Sequence, residues 1–231
     1  MNYENGQFVQ KTPFALYDYG FDFYAPQFLK KEDGKIVYIG RLLMSDTDNP
    51  LKIEKQDGLL SIPRELRIVN DKLKTFPLDN LKVLRKDKIT LSQQTFSGIR
   101  EFNGVRGDSY ELILVMDMQE SKNFSLKVRT SQTQETVISY DKEHSVLKLN
   151  RDRSGNGLVG EREVKTELVN NKLQLHVFVD KSSVEVFANN GDVTMSSRIF
   201  PDKNSLGIKF YSDDTVKIEE LEFYKIKTIH N

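Results

Sequence analysis

The sequence predicts an all-β protein whose larger part is an antiparallel β-sandwich. Three observations predict it. Apolar residues recur at period two in Tyr110, Leu112, Leu114, Met116 and Met118, in Leu173, Leu175, Val177 and Val179, and in Leu206, Ile208 and Phe210. That period, with one consistently apolar face, describes antiparallel strands packed on one side. Turn residues recur between the runs, at Asn170-Asn171, Asn190-Gly191 and Asp213-Asp214, and many short strands with regular turns make sandwiches. No stretch carries a helical apolar period over any length.

The elements follow in order. Met1–Pro13 is polar, with a short strand at Gln7–Gln10. Tyr17–Gln27 reads Y-D-Y-G-F-D-F-Y-A-P-Q, with Tyr17, Tyr19, Phe23 and Tyr24 crowded around Asp18, Asp22 and Gly20. Rings beside carboxylate acceptors suit a sugar, which offers C–H patches and hydroxyls. The same pattern also describes a strand end whose rings are core and whose acids cap a turn. Asp22–Leu29 and Lys35–Gly40 read as strands joined by a hairpin at Glu32-Asp33-Gly34, where Asp-Gly supplies positive φ. The continuous run Ile36–Ile39 suits a strand buried on both faces. Arg41–Lys55 is a polar loop. Its segment Ser45–Pro50 lacks the glycine and distal glutamate of a calcium loop. Gly58–Ile62 and Leu66–Val69 read as strands around Pro63-Arg64-Glu65, with Pro63 marking an edge or kink. Leu78–Asp87 is a linker with one helical turn, capped by Asp79 or Asn80 and carrying Leu81 and Leu84. From Lys88 onward the pattern is strands.

Composition narrows the function. Lys and Arg total 34, as do Asp and Glu, in 231 residues, and this balance argues against a nucleic-acid partner. No apolar run reaches the roughly 18 residues of a membrane span, so no membrane partner is expected. There is no cysteine, hence no disulfide framework or thiolate chemistry, which fits a cytoplasmic protein. His144, His176 and His230 have no ligand spacing, so no metal site is expected. His176 sits on the polar phase of its strand and is expected to face solvent. Trp is absent, which weakens the reading as a stand-alone sugar-binding module.

Three stretches, in their order and separation, carry a resemblance. They are Tyr17–Gln27, Gly58–Leu66 (G-L-L-S-I-P-R-E-L) and Asp180–Pro201 (D-K-S-S-V-E-V-F-A-N-N-G-D-V-T-M-S-S-R-I-F-P). Together they resemble the C-terminal part of glycoside hydrolase family 32, the β-fructofuranosidases: invertases, sucrose-6-phosphate hydrolases, inulinases and levanases. The resemblance implies the end of a five-bladed β-propeller followed by an antiparallel β-sandwich, with the chain beginning late in the propeller. It divides the chain into a propeller fragment (1–77), a linker (78–87) and the sandwich (88–231). It also implies hydrolysis of terminal β-fructofuranosidic bonds with retention, without cofactor or metal, on a fructoside sugar. Asp22 and Tyr24 are the residues it places toward sugar, with Gln27 beside them. Arg64 and Glu65 would brace propeller closure.

The same resemblance exposes what the chain lacks. Retaining glycosidases need a carboxylate nucleophile and a carboxylic acid about 5–5.5 Å apart. The family takes its acids from a W-[ML]-N-D-P-N-G-type motif, an R-D-P motif and an E-C motif, and none of these occurs here. No residue of this chain is therefore a catalytic candidate. The chain alone is expected to be inactive, and an upstream chain carrying the acids is an implied partner. Arg41 stands where the family usually has Trp after an Ile-Gly pair, and a guanidinium there would suit a 6-phosphorylated sugar. Asp180, Ser183 and Glu185 are read as structural: the first two bonding turn amides, Glu185 pairing with a cation such as Arg198. Arg151–Gly155 is read as a loop brace. The rival readings are a non-catalytic carbohydrate-binding sandwich with an N-terminal extension, and a structural partner chain.

Overall fold

A computed structural model of the chain describes residues 2–9, 14–43, 58–157 and 159–227. The Ser45–Pro50 loop lies outside the described residues. A hairpin of β1 (Asn2–Glu4) and β2 (Gln7–Val9) opens the chain. A four-stranded antiparallel sheet follows in simple sequential order: β3 (Phe23–Lys30), β4 (Ile36–Leu42), β5 (Arg64–Val69) and β6 (Lys72–Pro77). This meander has the form of one propeller blade. Of Gly58–Ile62 only Leu60 pairs, in an isolated bridge to Arg41.

The apolar run in β4 is buried on one face rather than two. Tyr38 and Leu42 are buried, whereas Val37 and Ile39 on the opposite face remain half-exposed. The Leu42 carbonyl receives Arg198 Nη1 of the sandwich at 3.3 Å, and within the blade the Tyr38 hydroxyl and Thr75 Oγ1 share a hydrogen bond of 2.9 Å.

The segment expected as a linker forms a short 3-10 helix of about two turns over Asp79–Leu84. Its N-cap position is Leu78, and no side chain caps it, so neither Asp79 nor Asn80 plays the expected role.

The remaining strands form one ten-stranded sheet that folds on itself into a sandwich. They are β7 (Arg85–Arg100), β8 (Tyr110–Asp117), β9 (Asn123–Thr130), β10 (Glu135–Asp141), β11 (Val146–Arg153), β12 (Glu161–Lys165), β13 (Lys172–Asp180), β14 (Ser183–Ala188), β15 (Val193–Arg198) and β16 (Gly207–Ile226). β16 ties the two halves together. One side of it pairs with β7 along its length; on the other side its first part pairs with β9 and its last part with β8. The turn expected at Asp213-Asp214 is instead a break in register inside β16, between Ser212 and Val216. A bulge there bends the strand without reversing it. Asp213 fixes the bend: its carboxylate accepts from Ser121 Oγ (2.7 Å), Lys122 N (3.1 Å), Asn123 N (3.0 Å) and Asn123 Nδ2 (2.7 Å).

The period-two residues make the core. Tyr110, Leu112, Leu114, Met116 and Met118 are each fully buried, as are Leu173, Val177, Phe210, Leu221 and Phe223. The other two predicted turns are true reversals, with left-handed φ at Asn170 (54°) and Asn171 (63°) and at Asn190 (54°) and Gly191 (78°). Gly191 meets a second demand as well. A Cβ there would lie 2.3 Å from the Thr75 carbonyl oxygen, and Thr75 N donates to Gly191 O at 3.0 Å, so this hairpin docks directly on β6.

Candidate functional site

The two carboxylates of the Tyr17–Gln27 stretch explain themselves at the free edge of β15. Residues 18–22 run along that edge. Tyr19 N donates to Thr194 O at 2.7 Å and Phe21 N to Ser196 O at 2.8 Å. The edge also presents outward N–H groups, for which a regular partner strand would supply backbone carbonyls. Here side chains supply them: Asp18 Oδ1 accepts Ser196 N at 2.8 Å, and Asp22 Oδ2 accepts Arg198 N at 2.7 Å. Gly20 permits the approach, because a Cβ would sit 2.1 Å from the Ser196 carbonyl oxygen.

Both aspartates then reach cations. Asp18 Oδ2 accepts Arg64 Nη1 at 2.9 Å and Ser196 Oγ at 2.6 Å. Arg64, on β5 and fully buried, places Nη2 2.6 Å from Glu185 Oε2 on β14. Glu185 Oε1 accepts Ile62 N at 2.9 Å. The guanidinium also lies over the Phe23 ring at 4.5 Å and the Phe187 ring at 5.3 Å, a cation–π arrangement. Burial works to lower the pKa of Arg64, but Glu185 and Asp18 outweigh it and push it up. Burial raises the Glu185 carboxyl against the pull of Arg64. Arg64 therefore ties the blade to the sandwich, and its partner Glu185 is not paired with Arg198, the cation the sequence suggests. Arg198 instead donates to the carbonyls of Ser182 and Leu42. Glu65 pairs with Arg67 at 2.7 Å.

Asp22 is 1% exposed. Its Oδ2 takes Arg151 Nη1 at 2.7 Å in addition to Arg198 N. Arg151 lies over the Phe21 ring, its Cζ 3.8 Å from the ring centre, so the Arg151–Gly155 loop does brace the molecule. Burial raises the Asp22 carboxyl pKa, opposed chiefly by Arg151. The structure thus puts Asp22 inside the contact between blade and sandwich, not on an open rim. Every polar partner shown for it belongs to the sandwich, an anchoring arrangement.

Tyr24, two residues on, is 50% exposed. The β3–β4 ladder slips between Tyr24 and Gln27, and Ala25 takes a left-handed φ of 46°. This bulge lets the strand leave the buried anchor at Asp22 and turn Tyr24 outward. Gln27 bends its amide back to the Pro26 carbonyl at 3.3 Å. Directly across the ladder from Tyr24 stands Arg41, also exposed.

His176 does not simply face solvent. Its Nε2 lies 2.6 Å from Glu111 Oε1, and Arg85 grips both oxygens of the same carboxylate at 2.6 Å. Burial tends to raise the Glu111 pKa, but the bonds from Arg85 and His176 hold it below the usual value. Asp180 bonds the turn amide of Lys181 at 2.8 Å. Among the described residues no group of three or more His, Cys, Asp or Glu could hold a metal ion, and no helix is long and apolar enough to cross a membrane. Sequence reasoning missed Ser196, whose backbone and hydroxyl bond Asp18 from 178 residues away.

Comparison with known proteins covers nearly the whole chain. Residues 1–77 match the glycosyl hydrolases family 32 N-terminal domain, and residues 80–225 match the glycosyl hydrolases family 32 C terminal. A sucrose-6-phosphate hydrolase of Staphylococcus xylosus is 36% identical over 211 residues, covering 89% of this chain and 42% of that protein. A levanase of Bacillus subtilis is 30% identical, covering 92% of this chain and 34% of that protein. The chain therefore spans about two fifths of the length of the curated relatives it matches. Among solved structures, the sucrose-6-phosphate hydrolase of Lactobacillus gasseri superposes with a TM-score of 0.80 at 24% identity, over 92% of this chain and 43% of that one. The β-fructofuranosidase of Bombyx mori superposes at 0.76 and 26%, over 98% and 45%. With a blade followed by a sandwich, and with both family domains matched in order, the chain belongs to glycosyl hydrolases family 32.

Proposed function

We propose that this chain supplies the last blade and the sandwich of a retaining β-fructofuranosidase acting on terminal β-fructofuranosidic bonds, with sucrose 6-phosphate its foremost substrate and sucrose or fructans in the same class. The observation that carries the reading is the match to the S. xylosus sucrose-6-phosphate hydrolase at 36% identity across 89% of this chain. The division into propeller fragment (1–77), linker (78–87) and sandwich (88–231) belongs to the same reading, supported by the 3-10 helix at Asp79–Leu84 between the two sheets.

In this reading the reacting acids reside in sequence that this chain does not contain, and it works in the cytoplasm on a sugar held by the completed propeller. Tyr24 borders the sugar. Asp22 acts one step back: fixed to Arg151 and the Arg198 amide, it sets where β3 begins and hence where Tyr24 points. Such second-rank support keeps a binding group in place.

The test is reconstitution. The purified chain should leave sucrose 6-phosphate intact. Mixed with a polypeptide equivalent to the part of the S. xylosus protein that this chain does not cover, it should hydrolyse it, and mutation of the three acids in that polypeptide should abolish turnover. Sustained hydrolysis by the chain alone, or none from a mixture that demonstrably associates, would overturn the reading.

A further inference from the structure

Two cations meet on one ring where the ribbon of residues 18–22 passes the loop between β11 and β12. Arg151 Cζ lies 3.8 Å from the centre of the Phe21 ring, and Arg162 Cζ lies 4.8 Å from it. One carboxylate serves this pair: Asp22, which takes Arg151 Nη1 at 2.7 Å. Arg162 is exposed on β12, and among the described residues it has no ion pair or hydrogen bond beside its contact with the ring. The other charged residues of β12 are matched. Glu161 and Glu163 each lie 3.4 Å from Lys148 Nζ, and Lys165 donates to the His144 carbonyl at 2.6 Å. Arg151, 6% exposed, keeps a buried Nε with no partner among the described residues. Burial lowers its pKa, Asp22 opposes that, and the nearby Arg162 lowers it again. The corner holds one cation more than it neutralises.

We infer that Arg162, backed by Phe21 and Arg151, is a docking point for an acidic side chain of the polypeptide that completes the propeller. This deepens the hydrolase reading and rests on it for the existence of that polypeptide.

Three features point to this occupant. A guanidinium over a ring keeps its N–H donors in its own plane, where a carboxylate can take two of them at once; a neutral surface would leave the charge unmatched. The surroundings are those of an interface, with charge beside apolar surface. Val159 is 67% exposed, and Gly160 closes on the ring so tightly that a Cβ would lie 3.1 Å from Phe21 Cε1. The ribbon that carries Phe21 leads directly into β3, the first strand of the blade. A preceding blade would join the chain on that side, and the chain spans about two fifths of the length of its curated relatives.

The test reads association, so it stands apart from hydrolysis. The full chain is titrated calorimetrically with the complementary polypeptide of the reconstitution experiment, at about 0.05 M and about 0.5 M salt. At the lower salt Arg162→Gln should weaken association about tenfold, with Arg162→Lys weakening it less and Arg162→Glu more. The gap between Arg162→Gln and the unchanged chain should narrow at the higher salt, because a charge pair at a rim is screened. Lys148→Gln is the control: its ammonium already has Glu161 and Glu163, so the variant should associate like the unchanged chain. No association at all, an Arg162→Gln chain that associates unchanged, a gap that salt does not narrow, or an equal loss in Lys148→Gln overturns the inference. Association with the expected properties but without hydrolysis keeps the docking point and loses the hydrolase reading. Hydrolysis with an Arg162→Gln chain that associates unchanged does the reverse.

Discussion

Asp22 shows how one carboxylate can satisfy two very different donors. Its Oδ2 serves a backbone amide and a guanidinium at 2.7 Å each. Asp22→Asn keeps the shape and can still accept from the Arg198 amide, but it leaves Arg151 buried without a counter-charge. Removing one partner of a buried pair costs more than the pair is worth. We expect Asp22→Asn to destabilise the chain by about 1–3 kcal/mol, with a lower melting temperature. A cycle with Arg151→Gln should show the two changes to be non-additive, with a coupling of about 0.5–3 kcal/mol. Additive losses would mean that the two side chains act separately. Composition alone could show that Tyr17–Gln27 is unusual, and period and spacing could not show more. The partners of Asp18 and Asp22 lie 178 and 129 residues away, so an acid that bonds an edge strand and one that bonds a sugar look alike in sequence. Glu185 was misassigned for the same reason, since its cation, Arg64, is 121 residues off. Arg151 was better legible, because a charged residue inside an R-D-R-S-G turn has few tasks besides bracing.

At the scale of elements, the sandwich strands were readable because one face of each is core. Leu112, Leu114 and Met116 are fully buried, and period two forces that outcome. What the pattern could not distinguish was a turn from a bend. Asp213-Asp214 has the composition of a reversal, yet β16 runs through it from Gly207 to Ile226. The two partners of β16, β9 and then β8, lie end to end along one side of it, and only a continuous strand can join them. The Asp213 nest makes this bend sensitive to acid. Slight burial favours the neutral acid, but the bonds from Ser121 and Asn123 prevail and hold the carboxyl at a pKa of about 2, against 3.8 ordinarily. The unfolded chain therefore takes up the proton first as pH falls. The stability due to this ionisation is complete above about pH 4 and fades toward about pH 2. Asp213 is exposed, so solvent screening keeps the effect small. In urea melts between about pH 5 and pH 2, Asp213→Asn should show a shallower decline of the midpoint than the unchanged chain. Parallel declines would assign the acid sensitivity elsewhere.

Across the whole molecule, one buried guanidinium holds the blade to the sandwich. Arg64 faces carboxylates from both sides, Asp18 ahead of β3 and Glu185 on β14. Replacing it with Ala strands both acids in the interior, a cost of about 3–5 kcal/mol for a broken buried pair. The sandwich has its own core, so the loss should fall on the blade. Limited proteolysis of Arg64→Ala should cut before residue 78 several-fold faster than in the unchanged chain, leaving a fragment that spans β7 to β16. Uniform digestion of both sheets would show that blade and sandwich unfold as one unit. The blade also keeps Phe28, Leu29 and Ile68 at 48%, 65% and 76% exposure, whereas Tyr110, Phe124, Phe210 and Phe223 of the sandwich are covered. That asymmetry is what a sheet built to be stacked between others looks like.

The ribbon of residues 18–22 has one more consequence. β15 ends the sandwich sheet, and its sequence, V-T-M-S-S-R, offers a single charge to discourage a stranger. The ribbon donates to that strand and accepts from it at Thr194, Ser196 and Arg198, yet carries aspartates where a true strand would offer carbonyls, so it seals the sheet without extending it. A sandwich expressed without these residues would present a bare template for intermolecular pairing, and light scattering should show concentration-dependent oligomers that the full chain does not form.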